Sequence, residues 1–121
     1  MNDRSRDTQT RTRHTELLQG TLDMLVLRTL EREPMHGWGV SKRIEERSSE
    51  VLRVNQGSLY PALHRLERKG WIRSEWGLSS NNRRAKYYEL TTRGRKQLNQ
   101  QAVEWGLFVT AVQGVLDEAS T

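Results

Sequence analysis

A mainly α-helical fold with one small β-hairpin and a long C-terminal helix is predicted by three patterns in the sequence. Before residue 70, apolar side chains recur at spacings of three and four in three separate stretches. Two short runs rich in aromatic and branched residues, 71–76 and 85–90, then flank a polar segment. From Leu98 to Leu116 the apolar positions keep a 4-3 rhythm, the spacing of a helix that packs along another helix.

The first helix starts near Leu17 and runs through Leu18, Leu22, Leu25, Val26 and Leu30, with Glu33-Pro34 as its stop, because proline disfavours helical geometry in the residue before it. "MHGWGV" (35–40) is expected to be a turn, with His36 as a cap or turn residue, and the next helix places Val40 and Ile44 on one face. In the third helix, Leu59, Ala62, Leu63 and Leu66 form the buried stripe. Ser58 is its favoured N-cap, leaving Pro61 where a missing N–H costs nothing; Asn55 is the competing cap. Lys69-Gly70 ends it. "WIRSEW" and "AKYYEL" read as two strands joined by the eight-residue loop "GLSSNNRR", with Trp71 and Trp76 as packing residues and, for Trp76, contact with a groove or partner as the alternative. Of Tyr87 and Tyr88, adjacent in a strand, one faces the core and the other the surface. Thr91 or Thr92 caps the last helix, whose seam is Leu98, Ala102, Trp105, Val109, Val112 and Leu116, widened by Phe108 and Val115.

The chain divides accordingly into an N-terminal arm (1–14), apolar only at Met1 and expected to be disordered, a folded unit (15–92) and a C-terminal helix (93–118). With 121 residues, only 34% of them hydrophobic, a single copy should build a small core, and association is a common remedy. No run is apolar enough for a membrane span or signal peptide, and the lack of cysteine excludes disulfides and thiolate metal sites and suits a cytoplasmic protein. The histidines lie far apart, so no metal site is expected, nor any cofactor. There is no glycine-rich phosphate loop, no HExxH and no paired carboxylates, which argues against an enzyme.

Charge carries the functional signal. Residues 53–96 hold eleven Lys/Arg and only three Asp/Glu, while the segments on either side are neutral or acidic. Such segregation marks either a polyanion-binding surface or, on charge alone, a solvated basic face. Three helices followed by a hairpin with a basic tip describe a winged helix-turn-helix, whose third helix enters the DNA major groove. That helix buries its leucines and presents Asn55, Gln56, Ser58, Tyr60, His64, Arg65 and Arg68. Amide side chains can pair with adenine and arginine with guanine, while hydroxyls suit phosphates. Two rival functions remain. One is an architectural or RNA-binding winged helix, which would need only charge; the other is a protein-interaction module using the last helix.

"GSLYPALHRLERKGWI" followed by "RRAKYYELTTRGRKQL", together with the upstream "LLQGTLDMLVLRTLEREPMHGWGV", resembles the PadR family of bacterial transcriptional regulators over roughly residues 16–118. The resemblance implies a homodimeric winged-helix repressor of the smaller branch, dimerised through its single C-terminal helix and reading a palindromic operator. It implies that Ser58 and Tyr60 sit near phosphates and that Arg83, Arg84 and Lys86 belong to the wing. It also implies a place for a small aromatic effector between the subunits, near Trp105 and Phe108; the alternative for Trp105 is an aromatic interface core. The sequence departs from the family at Trp38, where tyrosine is common, and in the wing "SSNNRRA", where many relatives carry glycine or proline.

Overall fold

A computed structural model describes residues 19–118. The expected arm (1–14) and the helix start at Leu17 and Leu18 lie outside the described residues. Four helices and a three-stranded antiparallel sheet follow in the order α1 (Gln19–Leu30), β1 (Met35–His36), α2 (Gly37–Arg47), α3 (Gln56–Arg68), β2 (Ile72–Leu78), β3 (Arg84–Leu90) and α4 (Thr92–Glu118). The architecture is a winged helix-turn-helix with a long helix appended.

The apolar periodicities identified in the sequence meet in one core. Leu22, Val26, Leu27 and Leu30 of α1 pack against Val40 and Ile44 of α2 and against Leu59, Ala62, Leu63 and Leu66 of α3, closed by Ile72, Tyr88 and Leu98. Tyr88 is the buried member of the tyrosine pair. Burial, with Glu67 and Tyr60 nearby, raises its phenol above the ordinary tyrosine pKa. Tyr87 lies on the opposite face and donates its hydroxyl to the Leu78 carbonyl at 3.1 Å.

Four local expectations are corrected. "MHGWGV" is not a turn: Met35 and His36 pair with Tyr88 and Tyr87, so the sheet order is β1-β3-β2, and α2 begins at Gly37. His36 is the cap of α2, its Nδ1 accepting the Gly39 N–H at 3.0 Å. Helix α1 stops at Leu30, three residues earlier than Glu33-Pro34 suggests, in a turn where Glu31 N–H reaches the Arg28 carbonyl. Helix α3 starts from Asn55, not Ser58: the Asn55 Oδ1 accepts the Ser58 N–H at 2.9 Å. Pro61 consequently lies inside the helix and leaves the Gly57 carbonyl without its i+4 donor. The hairpin loop has five residues rather than eight, because pairing continues through Gly77↔Ala85 and Leu78↔Arg84. At its tip Asn82 adopts a left-handed φ of 64°, a conformation asparagine tolerates, and Ser79 bonds back to Arg83.

Gly70, at φ +79°, ends α3 as expected. Thr91 resolves the capping choice for α4: its hydroxyl accepts the Gly94 N–H at 3.0 Å and donates to the Gly70 carbonyl at 2.7 Å. Glycine at 94 is required by packing, since a Cβ there would lie 1.9 Å from the Trp71 carbonyl oxygen. The first two turns of α4 are therefore locked to the hairpin base, and Leu98 is 1% exposed within the core. From Ala102 onward every described residue of α4 is exposed.

Candidate nucleic-acid interface

A groove of about 580 Å³ lies between the wing and the start of α2, and Tyr60 is the residue of α3 that lines it. Gln56, Tyr60, His64 and Arg68, spaced by four, form one exposed row on α3. Tyr60 leans across the start of α2, where Gly37 leaves room for its ring. Opposite stand Arg83 and Arg84 at the wing tip. Trp38 and Trp76 border the same groove and are 60% and 59% exposed. A cation lies over each indole: Lys42 Nζ is 5.4 Å from the Trp38 ring, and the Arg84 guanidinium is 4.9 Å from the Trp76 ring. Trp76 sits diagonally across the ladder from Arg84, within reach of a long side chain on the same sheet face. It is thus not a packing residue of the hairpin as the sequence suggests. It holds an arginine at the mouth of the groove, whereas Trp71 is half-buried against the core.

Three of the sequence-selected residues take other work. Arg65 points away from the groove: its Nη2 donates to Asp23 Oδ1 at 2.7 Å, and the Asp23 side chain is only 7% exposed. It ties α3 to α1 and is not free to meet a partner. Asn55 spends its amide oxygen on the cap, so it cannot make the two-bond pairing with adenine that needs both amide atoms. Lys86 lies at the wing's base, its Nζ 3.8 Å from Glu67 and 5.8 Å from the Tyr88 ring. Its charge is partly answered within the chain. Gln56, Ser58, Tyr60 and His64 on α3 and Arg83 at the wing tip remain exposed, while Arg84 lies over Trp76.

Sequence reasoning missed Asp23 and undervalued the two tryptophans. Asp23 had a signal: it is the one acid in the apolar run "LDMLVL" and falls on the buried side of α1. The tryptophans had none, since aromatic residues near strands are more often core.

At the far end of the chain, Ala102, Trp105, Val109, Val112 and Leu116 form an exposed apolar row, with Phe108 and Val115 beside it. Leu98 is withdrawn from this row by its burial in the chain's own core. Trp105 and Phe108 stack at a centroid distance of 5.9 Å. Between α1 and α4, a shallow groove beside Trp105 is lined by Met24 and Gln101, and the Gln101 Oε1 is buried without a hydrogen-bond partner. Among the described residues no three His, Asp or Glu side chains converge as a metal site.

Comparison with known proteins agrees with this geometry. Residues 26–100 match the model of the "Transcriptional regulator PadR-like family". An uncharacterized protein from Lysinibacillus sphaericus is 29% identical over 90 residues, covering 74% of this chain and 83% of that one. A PadR-family transcription regulator from Clostridium difficile superimposes with a TM-score of 0.69 at 32% identity, covering 78% of this chain and 97% of its own. One from Eggerthella lenta gives 0.71 at 30% identity, covering 95% and 94%. A transcriptional regulator from Clostridium thermocellum gives 0.72 at 30%, covering 79% and 90%. The chain belongs to the PadR-like family of transcriptional regulators.

Proposed function

We propose that the protein is a cytoplasmic homodimeric repressor that reads a palindromic operator with α3 and holds the flanking backbone with the wing. The observation that carries this is the presence of two different exposed surfaces, one on α3 and one on the wing. A polar α3 row (Gln56, Tyr60, His64) offers base-edge chemistry, and a cationic wing tip (Arg83, Arg84) offers only charge. A non-specific or architectural binder would need the second surface alone.

The dimer rests on the exposed row of α4. An isolated helix carrying Val109, Val112 and Leu116 in water leaves a large apolar surface uncovered, and a two-fold copy of the same helix covers it symmetrically. Two recognition helices would then meet half-sites about 34 Å apart. The same row would serve a protein-interaction module that zips onto a different chain. The experiment is selection of preferred duplexes from a random pool, followed by affinity for the winner and for random DNA at one salt concentration. A specificity ratio of about 10³ or more supports operator reading. A ratio near one assigns the protein to the architectural class.

A small aromatic effector is a second, dependent part of this proposal. The Trp105–Phe108 stack and the unpartnered Gln101 Oε1 beside the α1–α4 groove are what favour it. To release DNA, such a ligand must bind one dimer geometry better than the other; a tenfold effect on operator affinity takes about 1.4 kcal/mol of that difference. Titrating Trp105 fluorescence, with the other tryptophans replaced by phenylalanine, tests it: equal ligand affinity for free and DNA-bound dimer leaves Trp105 as interface core.

A further inference from the structure

On the side of the helix-turn-helix formed by α1 and α2, a second cavity of about 320 Å³ opens between the C-terminal halves of these helices. Its floor is apolar, formed by Leu25, Ile44 and Leu52. Its rim carries four arginines, Arg28 and Arg32 from the end of α1 and Arg43 and Arg47 from α2. The only acid lining it is Glu31, which already accepts from Arg28 at 3.1 Å and from Arg95 at 2.9 Å. Arg43 has Glu33 at 3.9 Å. Arg32 and Arg47 make no ion pair among the described residues.

Cations at helix C-termini are ordinary, because they oppose the dipole. That explains Arg28 and Arg47 singly. It does not explain why four guanidinium groups surround an apolar recess, nor why the recess is left open. Arg43 and Arg47, four apart on one helix, repel each other unless something answers them. We infer that this cavity binds a small amphipathic anion, an aromatic or branched carboxylate or sulfonate whose body rests on Leu25, Ile44 and Leu52 and whose head is held between Arg32 and Arg47. The planar guanidinium fork suits a carboxylate in two-bond geometry, and the volume suits a body on the order of ten non-hydrogen atoms.

The cavity adjoins the turn between the two helices of the DNA-binding motif. Ser48 and Leu52 line it, and between them Ser49 and Glu50 both hold left-handed backbone, at φ 53° and 65°. Two consecutive non-glycine residues there are strained and persist because neighbours hold them. The holders are the Ser48 hydroxyl, which accepts the Leu52 N–H at 3.0 Å, and the Glu50 N–H, which reaches the Glu45 carbonyl at 2.8 Å. An anion seated beside Ser48 and Leu52 therefore bears on the segment that leads into α3.

The probe is naphthalene-2-sulfonate, titrated into the whole protein by calorimetry, with amide exchange measured across the chain. Binding should slow exchange in residues 45–54 and leave 102–118 unchanged. The variant Arg32→Gln/Arg47→Gln should keep its thermal midpoint and lose about tenfold or more in probe affinity, and uncharged 2-naphthol should bind weaker by a similar factor. Absence of binding, protection of 102–118 instead, or equal affinity in the double variant would overturn the assignment. So would a double variant that loses as much random-duplex affinity as Arg83→Ala, since the arginines would then be phosphate contacts.

Discussion

The buried ion pair between α1 and α3 makes a prediction that separates stability from DNA binding. Asp23 is 5% exposed and accepts from Arg65 at 2.7 Å, while the Arg65 Nε is buried with no partner. Asp23→Leu leaves a guanidinium in a mostly desolvated site with nothing to answer its charge. Losing one member of a buried pair costs roughly 3–5 kcal/mol, and the 21% exposure of the Arg65 side chain, which lets water reach it, places the cost near the lower end at about 3. In a domain of this size, that lowers the thermal midpoint by about 12–24 °C. Arg65→Met should also destabilise, because it strands the carboxylate. The double variant Asp23→Leu/Arg65→Met replaces both charges with apolar volume and should recover most of the loss. Melts of the parent, Asp23→Leu, Arg65→Met and the double variant at one fixed concentration give the cycle, since self-association would make the midpoint concentration-dependent. The duplex affinity of the double variant should stay close to that of the parent, because Arg65 faces α1 and not the groove. A double variant as unstable as Asp23→Leu would refute the electrostatic account; one that is stable but has lost its DNA preference would return Arg65 to the recognition surface.

Val109→Asp places two like charges in the α4 row of a dimer, each costing several kcal/mol if buried, so sedimentation should show monomers and operator affinity should collapse. Arg83→Ala should weaken all duplexes alike and reduce the salt slope by about one. Gln56→Ala should cost about 1–3 kcal/mol at particular base pairs only, read as a loss of the specific-to-random ratio. Tyr88→Phe should flatten the alkaline limb of the stability curve. The raised phenol pKa, due first to burial and then to Glu67, contributes stability that is complete below the unfolded value of 10.0 and is lost as pH rises through the folded one, so wild type and variant should diverge in denaturant midpoint only above about pH 10. Gly94→Ala drives a methyl into the Trp71 carbonyl, which is already held by the Thr91 N–H at 3.0 Å, and should lower the melting midpoint and the duplex affinity together.

Where the sequence was legible, a strong local period stood behind it. The α1 and α3 stripes, the alternation that buries Tyr88 and exposes one face of Tyr87, and the segregated charge of 53–96 all survive in the fold. The short strand at Met35–His36 was illegible because two residues show no alternation and their partners lie some fifty positions away in β3. The cap of α3 went to Asn55 over Ser58 because the preceding chain delivers Asn55 in extended geometry, at φ −82° and ψ 161°, a tertiary effect that outweighs the local cost of Pro61 inside the helix. Along α3, periodicity separated the buried face from the exposed one but not the phase at its margin. Arg65 sits where the face turns inward, and only the unexpected Asp23 decides its direction. Trp76 was misjudged for a related reason: its neighbours on the same sheet face, Ser74 and Tyr88, meet α3, but the strand runs past the end of that contact and carries Trp76 and Arg84 beyond it.

The same overrun explains the division within α4. Its 27 residues make a rod about 40 Å long. Thr91, Gly94 and Leu98 bind its root to the Gly70 turn, Trp71 and the core, so the rod's direction is fixed by the same hairpin base that fixes the wing. From Ala102 to Glu118 every described residue is exposed. Whatever covers that stretch sets the angle between its own anchor and the wing and α3, through one continuous helix rather than a linker. The 4-3 rhythm that continues past Leu98 is therefore a single pattern divided between two environments: its first position fills the core, and the later ones are exposed. This is why counting along the seam could not say where the domain ends and the interface begins.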